Sequence, residues 1–535
     1  MPKSMPKSMP KSMPSLVALL GGALLSAALP PIGLWPLALA LLPLFVLVAR
    51  APHARAGFWL GFLFGLGFFG LHLLWLPISF AELFGPAAWL LYPPLVLVLG
   101  LMWGLVTFLG RGLGGYGAGA LALLPALWVL TEWARSQGPF AFPWGFVGYA
   151  WVGTPIAQAA DLAGVYGLGL LTLVAVSLAA SLFVPRRSRY GGQLTQPRLW
   201  PLPLALSLLL AAAFYGGERL STTLPPTTET ALLVQGNTNP LYRVAGEEDD
   251  LVHYARLTAS ALAELGNLAL FDSSLPGASL LASSAPGLPD LVIWPEGAVL
   301  SLDLSREGAA AAEARSLIQA SSQGLPVITG GGAFVGNQGF NSAFSLVGEQ
   351  VVDRYDKAYL VPFGEYFPWQ GPLHFLYDVV FRTFGLPFLD SRAAGEDIRP
   401  IASAGLLAGV YICYESVFPQ VPRLMVREGA QVLSNISNDA WYGQGLGPAQ
   451  HFLMGSLRAI ETRRYILRAG NDGITAVIDP LGRVVQELPR GIEGTLLVGY
   501  SLRDDLTPYV RYGDRLIGAL LLYALGVVAV RRGLA

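Results

Sequence analysis

The chain has 535 residues, enough for two or three domains on length alone. Hydrophobic residues make up 53% and charged residues only 13%, and the formal net charge is −1 at pH 7. That balance excludes a global basic field for nucleic acid, and the single cysteine excludes an intrachain disulfide.

The chain opens with three copies of Met-Pro-Lys-Ser. This low-complexity tail, residues 1–14, is expected to be disordered. Long apolar runs then follow at about 15–29, 34–49, 57–79, 87–110, 117–134, 163–184 and 199–215, with an eighth at 516–530. A spanning helix needs roughly 20 apolar residues to cross the hydrocarbon core. Eight spans are the reading, because the runs are too many and too free of charge for core helices of a soluble protein. The first run is short and bounded by Pro30 and Pro31, so the first two can also pair as a hairpin. Lys3, Lys7 and Lys11 ahead of it and Ser26-Ala-Ala within it are also compatible with a cleaved signal peptide.

Basic loops mark the cytoplasmic side. Arg50 and Arg55 lie between runs two and three, Arg111 after run four, Arg186, Arg187, Arg189 and Arg198 between runs six and seven, and Arg531 and Arg532 after run eight. Every second connection is basic, which places the N-terminus inside and the polar segment after run seven outside. The chain therefore reads as a cytoplasmic tail (1–14), transmembrane helices 1–7 (15–216), an extracytoplasmic domain (217–513), and helix 8 with a cytoplasmic end (514–535). Between runs five and six stands Phe142-Pro-Trp-Gly-Phe-Val-Gly-Tyr-Ala-Trp151. Such residues suit an aromatic belt at the membrane–water interface, or a re-entrant wall of a lipid entrance built around Trp144.

The polar segment alternates short β-rich runs (231–235, 290–294, 326–330, 343–347, 409–412, 432–436, 475–478, 495–498) with helical patterns (251–265, 308–322, 419–428, 449–467). That alternation predicts an α/β domain. Residues 273–288, rich in Ser, Gly, Pro and Ala, read as an inserted loop.

Three different chemistries fall at predicted strand ends: Glu296 in Leu291-Val-Ile-Trp-Pro-Glu296, Lys357 in Val351-Val-Asp-Arg-Tyr-Asp-Lys357, and Cys413 in Gly409-Val-Tyr-Ile-Cys413. Ligands of α/β sheets gather at the carboxyl ends of strands, so one site is suggested. Taken singly, the cysteine also reads as a small buried hydrophobe, the lysine as a solvated side chain and the glutamate as a turn residue. Together they can perform acyl transfer. Glu296 can remove the thiol proton, the Lys357 ammonium can favour the thiolate, and Lys357 with the Tyr414 N–H can hold an oxyanion.

These residues also carry a resemblance. Ile293-Trp-Pro-Glu-Gly297, Arg354-Tyr-Asp-Lys-Ala-Tyr-Leu-Val-Pro-Phe-Gly-Glu-Tyr366 and Ile412-Cys-Tyr-Glu415 resemble the Glu, Lys and Cys motifs of the nitrilase superfamily. The Leu-Val-Pro-Phe-Gly-Glu-Tyr tail of the second, Ser437-Asn-Asp-Ala-Trp-Tyr-Gly443 and Gly447-Pro-Ala-Gln-His451 are similar to the membrane-bound apolipoprotein N-acyltransferases. So are Phe142-Pro-Trp144 and Gly164-Val-Tyr-Gly167 in the apolar half.

The resemblance implies a nitrilase-like αββα sandwich on the periplasmic face of the bacterial inner membrane. It implies a ping-pong reaction: an acyl chain passes from a phospholipid, commonly phosphatidylethanolamine, to Cys413, and then to the α-amino group of a diacylglyceryl-cysteine at the N-terminus of an apolipoprotein. Glu296 is then the base, Lys357 the oxyanion partner and Cys413 the nucleophile, with Glu365, Tyr414 and Glu415 in support. Family members often carry a Trp after Val-Gln-Gly; here Val234-Gln-Gly-Asn-Thr-Asn-Pro-Leu-Tyr-Arg243 has none, and Tyr242 is the nearest aromatic. Trp144, Tyr242, Phe363 and Trp441 are expected to contact lipid, with the aromatic segments 363–369 and 375–388 lining an apolar pocket. No cofactor and no metal are expected, since the five histidines form no ligand-spaced cluster. Two rivals remain: a membrane-tethered amidase or nitrilase acting on a small C–N substrate, and a transporter or scaffold with an outer binding domain.

Overall fold

The computed structural model describes residues 12–184, 186–187, 194–195, 199–238, 249–272, 287–300, 302–384 and 391–533. The N-terminal repeat, Tyr242 and nearly all of the predicted insert lie outside them. The chain divides into two compact units, one of Met1–Arg219, Gly445–Gly447 and Asp514–Ala535, the other of Leu220–Gln444 and Pro448–Gly513.

The first unit is helical. Leu- and Ala-rich sequence with few β-branched residues favours helix throughout. Its helices are α1 (Met13–Ala28), α2 (Leu41–Arg50), α3 (Ala54–His72), α4 (Trp75–Phe84), α5 (Tyr92–Gly114), α6 (Ala118–Ala134), α7 (Ala160–Ala180), α8 (Pro201–Ser221) and, after the second unit, α15 (Arg515–Gly533). Among the described residues, five helical segments are long and apolar enough to cross a membrane: Ala54–His72, Pro86–Gly114, Pro155–Ala180, Pro201–Ser221 and Arg515–Gly533. Three shorter apolar helices, Met13–Ala28, Trp35–Arg50 and Ala118–Ala134, occupy the first, second and fifth predicted runs. The third run breaks in two at Leu73 and Leu74, between α3 and α4. A two-residue ribbon pairs β1 (Arg186–Arg187) with β2 (Leu194–Thr195).

Glycines set how closely the helices approach. A Cβ on Gly65 of α3 would lie 2.8 Å from the Cα of Gly100 of α5, and one on Gly22 of α1 would strike the Phe64 carbonyl. Small residues one turn apart let apolar helices pack backbone to backbone where no hydrophobic effect drives them together. Beside that seam Trp103 and Trp128 pack at a tilt with ring centroids 4.5 Å apart, and Phe64 and Phe69 close around Trp103. At one end of the unit three basic connections meet. Arg111 donates to the carbonyls of Ala51 (2.7 Å) and Pro52, and the Arg531 guanidinium lies against Gly115 and Gly119.

The second unit holds two six-stranded sheets. Its strands are β3 (Glu229–Gln235), β4 (Leu291–Ile293), β5 (Val327–Val335), β6 (Gln338–Val347), β7 (Gln350–Asp356), β8 (Ile401–Ser403), β9 (Leu406–Ile412), β10 (Val432–Ser437), β11 (Ile466–Gly470), β12 (Thr475–Ile478), β13 (Val484–Leu488) and β14 (Gly494–Tyr500). The sheet orders are β14-β3-β4-β5-β6-β7 and β13-β12-β11-β10-β9-β8. Each has a parallel centre, β3-β4-β5 in one and β9-β10-β11 in the other, and antiparallel flanks. Strands of one sheet pack on the other, β3 against β11 and β12, β6 against β8 and β9. Outside lie α9 (Asp250–Asp272) on β3 and β14, with α10 (Ala309–Ser321) beside it, and α12 (Gln420–Arg427) on β9. The layering is helix, sheet, sheet, helix. Val432–Ser437 and Ile466–Gly470 are buried at every position, as strands covered on both faces must be.

The eight predicted strands are present, as is the strand expected ahead of Lys357 (β7), and β8, β11 and β13 join them. The predicted helix at 449–467 corresponds to α13 (Gly447–Thr462), which ends earlier. Arg463 takes a left-handed φ of 52°, and the last residues of the predicted helix belong to β11. Two further helices, α11 (Gln370–Phe384) and α14 (Pro508–Tyr512), complete the unit.

The α3–α5 seam yields a stability test. Gly65→Ala puts a methyl against backbone and is expected to lower the melting temperature in detergent. At Gly217 on α8 an added Cβ meets nothing within 4 Å, so Gly217→Ala should hold or raise it by the helix propensity of alanine. Equal effects on the two melting curves would refute the close-packing role.

Candidate active site

Parallel strands deliver their carboxyl ends to one place, and each predicted residue stands at such an end. Glu296 follows β4. A Cβ on Gly330 of β5 would come within 2.7 Å of its Cα, so that strand must be bare there. Lys357 follows β7 directly, and its amide donates to the Asn341 carbonyl of β6 at 2.8 Å. Cys413 follows β9, and its φ of 49° lies in the left-handed region that a non-glycine residue rarely adopts.

The charges interlock. The Lys357 ammonium, 1% exposed, lies 2.9 Å from Glu365 Oε2 and 3.4 Å from Glu296 Oε1. One amide group ties the two carboxylates together: Asn341 Nδ2 donates to Glu296 Oε1 at 2.8 Å and to Glu365 Oε1 at 2.7 Å. Glu296 Oε2 accepts the Asn438 N–H (2.9 Å) from the end of β10, and Glu365 Oε2 accepts the Val361 N–H (2.8 Å). Burial alone would depress the Lys357 pKa, but Glu296 and Glu365 outweigh it and hold the ammonium charged, above the usual lysine range.

The thiol behaves differently from the sequence expectation that Lys357 lowers its pKa. Burial first, and then the Glu296 carboxylate, push the Cys413 pKa above the ordinary thiol range, and the opposing pull of Lys357 is smaller. At rest the sulfur is therefore a thiol. The Glu296 carboxylate, and more weakly that of Asp439, act on it electrostatically.

Glu415 is fully buried and acts on the backbone. Its Oε1 accepts from the Tyr355 hydroxyl (2.6 Å) and the N–H groups of Ala358 (2.8 Å) and Tyr359 (3.1 Å), and its Oε2 accepts from the Ile412 N–H (2.8 Å). It ties the chain just after Lys357 to the strand end that carries Cys413. Burial raises its pKa, and these hydrogen bonds oppose the rise.

Glu296, Lys357, Cys413, Glu365, Tyr414 and Glu415 thus gather at one site, with the Tyr414 ring buried against Phe418. Phe363 and Trp441 belong to the same unit and are 55% and 45% exposed. Trp144 is a different case. It belongs to the helical unit and is buried against Trp75 and Phe142, so its ring is a packing element and not an exposed interfacial anchor. Sequence reasoning missed Asn341, the residue that joins the two glutamates. Its only signal is an amide within the apolar alternation of β6. Among the described residues no group of His, Cys, Asp and Glu is arranged to hold a metal.

The apolipoprotein N-acyltransferase N-terminal domain matches residues 21–178, and the carbon-nitrogen hydrolase domain matches residues 276–504. The apolipoprotein N-acyltransferase of Pseudomonas paraeruginosa is 33% identical over 538 residues, covering 95% of each chain. That of Allorhizobium ampelinum is 31% identical over 513 residues, covering 91% of this chain and 90% of its own. Among solved structures, an amidase from Nesterenkonia sp. is 18% identical with a TM-score of 0.35, covering 56% of this chain and 98% of that one. On the strength of the near full-length relatives and of both domain matches, the chain belongs to the apolipoprotein N-acyltransferase family, with a carbon-nitrogen hydrolase domain of the nitrilase superfamily as its polar unit.

Proposed function

We propose that the protein transfers an acyl chain from a phospholipid, by way of a thioester on Cys413, to the α-amino group of the diacylglyceryl-cysteine that begins an apolipoprotein. The observation that carries this reading is a buried cysteine at a strand end beside the paired Glu296 carboxylate and Lys357 ammonium, in a chain whose other unit is built of apolar helices.

In the first half-reaction Cys413 Sγ attacks the ester carbonyl carbon of the lipid while Glu296 takes the thiol proton. The oxyanion that forms is held by the Lys357 ammonium and the Tyr414 N–H. When it collapses, the ester C–O bond breaks, and the leaving lysophospholipid oxygen receives the proton from Glu296. In the second, the lipoprotein amine attacks the thioester carbonyl and gives a proton to Glu296. The C–S bond then breaks, the sulfur is reprotonated, and an amide is left on the lipoprotein. Glu365 and Glu415 act on Lys357 and on the backbone.

Phosphatidylethanolamine is the proposed donor, and no cofactor is required. The exposed Phe363, Trp369, Phe375, Val379 and Trp441 give the catalytic unit an apolar surface suited to acyl chains, each buried CH₂ being worth about 0.8 kcal/mol. Eight helices are proposed to span the inner membrane. Arg111 at the Ala51–Pro52 turn and Arg531 against Gly115 and Gly119 support a cytoplasmic end of the helical unit there, and the alternation of basic loops along the chain supports a periplasmic catalytic unit.

Intact mass spectrometry after incubation with phosphatidylethanolamine and no acceptor tests the reading. The expected result is a gain of one acyl chain, mapped to Cys413, absent in Cys413→Ala and discharged by a diacylated lipopeptide. A protein that stays unmodified would sink the thioester mechanism, and a thioester that water clears as fast as the lipopeptide does would mark a hydrolase. The raised thiol pKa gives a separate check. Iodoacetamide alkylation of Cys413 should still be climbing with pH at about 10, where an ordinary thiol, with its pKa of about 8.5, has levelled off. A plateau near neutral pH would mean a standing thiolate, contrary to the site described here.

A further inference from the structure

Next to Cys413 lies a second polar group that the reaction above leaves without a part. His451 of α13 is fully buried. Its Nε2 stands 3.0 Å from the Cys413 carbonyl oxygen and 2.7 Å from Ser416 Oγ. A carbonyl only accepts, so Nε2 carries a proton and donates it. On the other side of the ring Nδ1 lies 3.2 Å from Asp439 Oδ1. Asp439 is fixed in turn by the Ser437 hydroxyl (2.6 Å) and by Arg468 (2.7 Å), and Arg468 also bonds Asn435 and the Ile474 carbonyl (3.0 Å). Tyr442 packs over the imidazole with ring centroids 5.1 Å apart. Arg468 and His451 hold the Asp439 carboxyl well below its usual range despite its burial, and Arg468 Nη2 also reaches His451 Nδ1 at 3.3 Å.

The peptide that receives this bond is the one that matters for the oxyanion. In a planar trans peptide the Cys413 C=O and the Tyr414 N–H point in opposite directions, so fixing one fixes the other. A donor on the oxygen also draws density from the nitrogen and strengthens the N–H as a donor, because linked hydrogen bonds polarise one another in a low-dielectric site. The left-handed φ of Cys413 makes such a restraint necessary, since the backbone holds this conformation only where its surroundings impose it.

We propose that His451, held by Asp439 and Arg468, is a positioning residue that aims and polarises the Cys413–Tyr414 peptide so that the Tyr414 N–H receives the oxyanion. The proposal rests on the reading of Cys413 as the acyl carrier.

The test compares two reactions of the same sulfur in the full-length protein. Thioester formation from phosphatidylethanolamine passes through a tetrahedral oxyanion; alkylation by iodoacetamide is a direct displacement and forms none. In His451→Leu, acylation is expected to fall roughly ten- to a hundred-fold, somewhat less than the loss of an oxyanion donor itself. Alkylation and the apparent KM for the lipid should stay within about three-fold, as expected when only a transition-state interaction is lost. His451→Gln, which keeps a neutral N–H donor, should fall between Leu and wild type, and it carries the test by itself if the Leu variant does not fold. Acylation and alkylation falling in the same proportion, or acylation left unchanged, would overturn the proposal. A wild-type protein that alkylates but forms no thioester would instead overturn the acyl-carrier reading on which it stands.

Discussion

A lysine ammonium withdrawn from water must be matched by carboxylates, and the catalytic unit is arranged around that requirement at Lys357. Glu296 comes from the end of β4, Glu365 from the loop after β7, and the Asn341 amide from β6 bonds both. Removing one partner of a buried ion pair costs about 3–5 kcal/mol, since the other charge is left uncompensated. The strand ends that carry these groups are therefore held in register by the charges as well as by the sheet. Glu415 extends the arrangement by tying the chain after Lys357 to Ile412, the residue before the sulfur.

The same burial that works against the Lys357 charge, and is overcome there by Glu296 and Glu365, keeps Cys413 neutral. Two carboxylates share one ammonium, so the surroundings of the sulfur do not favour a second anion, and the thiol rests protonated. A resting thiol is a poor target for oxidation, which follows thiolate character and exposure. Under the proposed reaction, its reactivity is confined to the moment when a carbonyl carbon is in place and Glu296 can take the proton. Apolar surroundings would serve the proposed second half-reaction as well, by shielding a thioester from water until its amine arrives.

The helical unit answers a different constraint. Helices in an apolar medium gain little from hiding apolar side chains, so they associate by close contact of surfaces. Gly65 against Gly100 and Gly22 against Phe64 provide that contact, and the tilted Trp103–Trp128 pair fills the space beside it.

Much of this was legible in the chain itself. Apolar runs announced the helices because length and hydropathy are local properties, and continuous Val, Ile and Leu announced β4, β9 and β10. Glu296, Lys357 and Cys413 stood out because each is a reactive group in an apolar setting next to a strand end. The short or polar edge strands β8 and β13 carry no such run, and β11 is masked by Arg468 within it and by a preceding helix with no glycine or proline to end it. Asn341 and His451 could not be read as parts of the site. Asn341 lies 45 residues from Glu296, and His451 lies 38 from Cys413. The direction of the thiol pKa was also beyond the sequence: Lys357 is expected there to lower it, but burial and the Glu296 carboxylate outweigh the ammonium. The reactive groups follow from residue identity, whereas their charges and partners depend on burial and distance, which only the folded chain determines.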